Sequence, residues 1–157
     1  MICYLPTNRR IDMSKIWVVV ADEAKVRIFS AEKPKGTLTE IKEMTSSEAT
    51  MLEQDLVSDK PGRGESNSGA RKHAFEEKTS HKAQYAIRFS KEVSEYLEAS
   101  LQSKSFGRLT LVAAPHFLGM LRKDLSAAID EVVSFQLDKD LTMMTPQEIR
   151  EHLPEYL

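Results

Sequence analysis

Cysteine is almost absent. Cys3 is the single thiol in 157 residues, which excludes an internal disulfide framework and every cysteine-based zinc motif and fits a reducing compartment. Excess charge is missing too: 22 basic residues face 24 acidic ones, so the chain has no bulk attraction to nucleic acid or to a membrane surface, and any such contact must be local. No stretch approaches the roughly 18 apolar residues of a membrane span. The apolar run nearest the start, Ile2 to Leu5, precedes Arg9 and Arg10 and is too short for a signal-peptide core. These absences lead to the expectation of a cytoplasmic protein with no membrane or DNA partner. Internal repeats are lacking as well. The length fits one domain, expected over 14–157, behind an N-terminal extension over 1–13 that is expected to be disordered and for which Met13-Ser14-Lys15 reads as a natural start.

What is present is an α/β pattern. Ile16 to Ala21 is a continuous, β-branched apolar run, as in a central strand covered on both faces. Lys25 to Ser30 and Thr37 to Met44 alternate in polarity and follow short turns, which predicts an antiparallel meander. Its third strand, with Glu40, Lys42 and Glu43, suits a sheet edge. Ser80 can cap a helix to about Ser103 with Ala86, Phe89, Val93, Leu97 and Leu101 on one stripe. Arg108 to Ala114 reads as a fourth strand, 117–128 as a helix with Leu118, Leu121, Leu125 and Ala128 at helical spacing, and Val132 to Leu137 as a fifth strand. Thr145-Pro146-Gln147-Glu148 spells a capping box with proline at the first helical position, and Pro154 stops that helix. Sequential pairing and right-handed crossovers then give a five-stranded mixed sheet of order 3-2-1-4-5 with helices on both faces, the ribonuclease-H-like topology.

The stretch 46–79 interrupts this pattern without any apolar period. It holds Gly62, Gly64 and Gly69 with Arg63, Arg71, Lys72 and His73, so it is expected to be a long functional loop or a connector that orders on a partner. Arg63, Gly64, Gly69, Arg71, Lys72 and His73 are the candidate binding residues, suited to phosphate contact, with Lys78, His81 and Lys82 close behind; the run reads equally as a solvated stretch balanced by Glu76 and Glu77. The glycine spacing matches neither a P-loop nor a dinucleotide fingerprint, and no cofactor is expected.

A second candidate site follows from topology. Strands 1, 4 and 5 would open their carboxyl ends on one rim, bringing Asp22, His116 and Asp138, with Asp140, together. Paired carboxylates there could hold divalent ions that activate water, as in a metal-dependent nuclease. Against this, Asp22 sits where a hairpin turn wants Asp, no acidic residue interrupts the long helix's apolar stripe, and His116 has no Ser or Cys at triad spacing. The expectation is therefore no metal site, and no complete catalytic set.

Five segments are similar to one known family. Val19 to Phe29 (VVADEAKVRIF), Glu53 to Gly64 (EQDLVSDKPGRG), Ser68 to Phe75 (SGARKHAF), Leu111 to Arg122 (LVAAPHFLGMLR) and Leu137 to Leu153 (LDKDLTMMTPQEIREHL) together resemble the bacterial "protein required for attachment to host cells" family. The resemblance implies kinship with the central domain of the archaeo-eukaryotic peptide-release factors and Pelota, a domain with the same sheet order. In release factors the loop after the third strand carries a Gly-Gly-Gln motif. This chain lacks the tripeptide, so the resemblance implies contact with ribosome or tRNA through the loop but carries over no peptidyl-tRNA hydrolysis. A host-attachment role would then be indirect.

Overall fold

The computed structural model describes residues 15–46 and 68–157, the stretch 68–80 through its backbone alone. Its strands are β1 (Ile16–Ala21), β2 (Lys25–Ala31), β3 (Thr39–Thr45), β4 (Arg108–Ala113) and β5 (Val133–Leu137). Its helices are α1 (Ser68–Gln102), α2 (Pro115–Asp124), α3 (Ala127–Val132) and α4 (Pro146–Glu151). The strands form one sheet of order β3-β2-β1-β4-β5. β1 pairs antiparallel with β2 and β2 with β3, whereas β1–β4 and β4–β5 are parallel. The mixed α/β sheet and its strand order are those expected from the apolar runs and connection rules.

Alternation along the central strand divides the core in two. Trp17, Val19 and Ala21 face one side, where they meet Phe89, Val93 and Leu97 of α1, Phe117, Leu118 and Leu121 of α2, and Ile129 of α3. Ile16, Val18 and Val20 face the other side, where Leu141, Ile149, Leu153 and Leu157 cover them. All six β1 residues are buried, as a strand with both faces covered requires.

The second face is closed by the segment 138–157, which includes α4. Arginines on both sides pin it. The Arg27 guanidinium donates to the carbonyls of Thr142 (3.0 Å) and Met144 (2.6 Å), and Arg150 donates to the carbonyls of Gly36 (3.0 Å) and Pro34 (3.2 Å). At the outer edge β3 is exposed along nearly its whole length. The ladder shifts register there, with Lys42 opposite Ile28 and Glu40 opposite Phe29, leaving Ile41 as a bulge that blunts the edge against further pairing.

Most boundaries shift by a residue or two, and three departures are instructive. The long helix starts at Ser68, twelve residues before the expected cap at Ser80, so the predicted loop 46–79 gives way to helix in its last third. The expected helix over 117–128 is two: Leu125 is extended (φ −67°, ψ 137°) and Ser126 caps a new helix by accepting from the Ile129 amide. β3 begins at Thr39, two residues later than expected, and runs one further, to Thr45.

Candidate functional site at the carboxyl edge of the sheet

The parallel register sets the rim. Ala21 lies opposite Ala113, and Val112 opposite Leu137, so Asp22, the start of α2 and Asp138 all leave the sheet along the same edge. β3 is antiparallel to β2 and therefore runs with β1, and it ends on that edge as well. Its last contact there is the Ser46 amide donating to the Ala24 carbonyl at 2.8 Å.

Asp22 is held on both sides. One carboxylate oxygen accepts from the amides of Ala24 (2.8 Å) and Lys25 (2.7 Å), which locks the β1–β2 turn. The other lies 3.1 Å from the Thr142 hydroxyl, whose single hydrogen is shared between two carboxylates. That hydroxyl, on a residue 2 % exposed, also lies 2.6 Å from the Asp140 carboxylate. Asp140 and Thr142, rather than Asp138, thus meet Asp22. Asp138 is exposed at the end of β5 and stands outside this network.

His116 meets a partner the sequence pattern did not single out. Its Nδ1 lies 2.9 Å from Glu23 Oε1. An ionised carboxylate only accepts, so Nδ1 carries the hydrogen and Nε2 is left facing solvent on a side chain 73 % exposed. The pair ties the β1–β2 turn to the first turn of α2 and orients the imidazole. Among the described residues no three His, Cys, Asp or Glu side chains gather as a cation-binding group.

The same edge is where α1 overruns the sheet. At ~1.5 Å per residue its 35 residues span about 52 Å, against about 20 Å for a six-residue strand. The buried stripe of Ala86, Phe89, Val93 and Leu97 occupies its second half, and His81, Lys82, Ala83 and Gln84 are all exposed. The excess length therefore lies at the N-terminal end. Gly69, Arg71, Lys72 and His73 belong to the first turns of this helix, not to a loop. Arg63 and Gly64 lie outside the described residues.

A family model described as "Protein required for attachment to host cells" matches residues 17–153. The chain belongs to that family. The match covers every strand and helix of the fold save the first residue of β1, so the carboxyl edge and the overrunning helix both fall within the host-attachment domain. No curated protein matches the chain. Among the described residues no helix is long and apolar enough to cross a membrane.

Proposed function

We propose that this host-attachment protein works in the cytoplasm as a release-factor-like domain of ribonuclease-H-like topology. In this reading it contacts ribosomal or transfer RNA through the basic N-terminal half of α1 and the preceding residues, and affects attachment to host cells indirectly, through translation. The observation that supports it is the overrun of α1. A chain with no net attraction to polyanions holds Arg71, Lys72, His73, Lys78, His81 and Lys82 on one stretch of a helix that outruns the carboxyl edge. Cations concentrated on a protruding rod meet phosphates without bringing the acidic remainder of the surface close.

Co-sedimentation with ribosomes tests this. Binding is expected at low salt, falling steeply as salt rises because displaced counterions drive it, and weakening on Arg63→Ala plus Arg71→Ala. Equal sedimentation of wild type and double variant removes the RNA contact. Binding that survives ribonuclease treatment assigns the helix to a protein partner instead.

A further inference from the structure

Four ring pairs stack among the described residues, and three of them belong to the core: Trp17 with Tyr96, Trp17 with Phe106, and Phe89 with Phe117. The fourth does not. His81 and Tyr85, one helical turn apart on α1, lie with ring centroids 6.2 Å apart and planes inclined by 22°, His81 exposed and Tyr85 half-buried. Ala86, where the buried stripe of α1 begins among the described residues, follows at once. The pair therefore stands at the root of the overrun, where the core still holds the helix and the rings already meet solvent.

The charges around the pair run against the helix. A helix favours acidic residues in its first turn and basic ones in its last, yet α1 has neither. From Lys78 to Lys91 it carries Lys78, Lys82, Arg88 and Lys91 with no acidic residue, and Glu92, Glu95 and Glu98 come only after them. The cationic stretch thus contributes little to the helix itself and suits an anionic partner. A polyanion alone accounts for the cations but not for the rings. A strand with unpaired bases accounts for both, because a base inside a duplex keeps its face within the stack while an unpaired one offers that face to an aromatic side chain.

Resting on the RNA contact argued above, we propose that its target is an unpaired stretch of RNA, with one base stacked on the His81–Tyr85 ring pair. A short fluorescein-labelled RNA without self-complementarity, alone and annealed to its complement, tests this by anisotropy with the full-length protein. The single strand is expected to bind more tightly than the duplex. His81→Leu plus Tyr85→Leu weakens single-strand binding about 5- to 150-fold, the worth of one stacked base, and leaves the salt dependence unchanged because that slope counts phosphate contacts. His81→Phe plus Tyr85→Phe keeps the rings and with them the affinity. Single-strand binding that the leucine pair leaves intact, a loss that the duplex shares equally, or a loss that the phenylalanine pair does not restore overturns the stacking site while the RNA contact stands. A wild type that binds neither RNA removes that contact, and this inference with it.

Discussion

Thr110 is the one described side chain whose buried polar atom has no hydrogen-bond partner. It sits mid-strand in β4, opposite Val18 of the central strand and Phe135 of β5, and is fully buried. A buried hydroxyl loses its water and here gains nothing in return, while valine has nearly the same shape and a better strand propensity. Thr110→Val is therefore expected to raise stability by about 1 kcal/mol, read as a higher urea midpoint at unchanged slope. Arg27 is the opposite case. Its guanidinium grips both oxygens of Glu40 (3.2 and 3.0 Å) and two carbonyls of the 138–157 segment, the strap over the second face, with the side chain only 12 % exposed. Arg27→Met removes the guanidinium that lies 5.0 Å over the Phe29 ring and strands the carbonyls, and should cost about 2–3 kcal/mol. The Arg27 hydrogen bond also holds the Glu40 carboxyl below its ordinary value of 4.5. A depressed carboxyl stabilises the fold above its unfolded pKa, and that contribution is lost as pH falls through the folded one. Wild type should thus lose stability on acidification below about pH 4.5 more steeply than Arg27→Met, whose Glu40 no longer has that partner. Denaturant titrations of the two proteins across that range give the comparison directly.

Among the elements, α4 shows how a local signal becomes a structural one. The Thr145 hydroxyl accepts from the Glu148 amide at 3.3 Å, the Glu148 carboxylate accepts from the Thr145 amide at 2.9 Å, and Pro146 opens the helix. The six-residue helix is too short to hold itself, yet it delivers Ile149, fully buried, onto the second face of the sheet. Thr145→Ala should therefore cost about 1 kcal/mol of global stability, visible in thermal unfolding of the whole protein. This cap was legible because four consecutive residues carry it, and β1 and β4 because unbroken apolar runs admit little else. The start of α1 was not legible. Ser68 to Thr79 has no apolar stripe, so periodicity gave no sign of helix, and Ser80 offered a competing cap further on. The break at Leu125 was hidden for the opposite reason: Leu118, Leu121, Leu125 and Ala128 keep helical spacing straight through it, and only the Ser126 cap marked the second helix. The rim followed from topology, but its contacts did not. Glu23 and His116 lie 93 residues apart and Asp22 and Thr142 lie 120 apart, and no local pattern announces such pairs.

On the scale of the whole molecule, one sheet separates two cores that have no member in common among the described residues. Ile28 belongs to the α1 side and Ile149 to the strap side, with the central strands between them. Ile28→Val and Ile149→Val each remove one methylene from a fully buried site, at about 0.5–1.5 kcal/mol apiece. Lacking shared partners, their effects should add to within about 0.5 kcal/mol. Whether the strap is an independent unit is a separate matter. Three arginines fasten it to the sheet layer: Arg27, Arg150 and Arg108, the last donating to the Leu157 main-chain oxygen at 2.5 Å. Removing the strap would bare Val18, Val20 and Phe29 together, a contiguous apolar face that water does not tolerate. The strap and sheet should consequently unfold as one. Trp17, the single tryptophan, reports on this from the other side of the sheet, stacked 4.7 Å from Phe106 and 6.3 Å from Tyr96. Ile149→Val must then shift the unfolding midpoint seen by Trp17 fluorescence as far as the one seen by circular dichroism. A fluorescence midpoint that ignores Ile149→Val would mean that the strap peels away before the α1-side core opens, and that the second face is a removable cover.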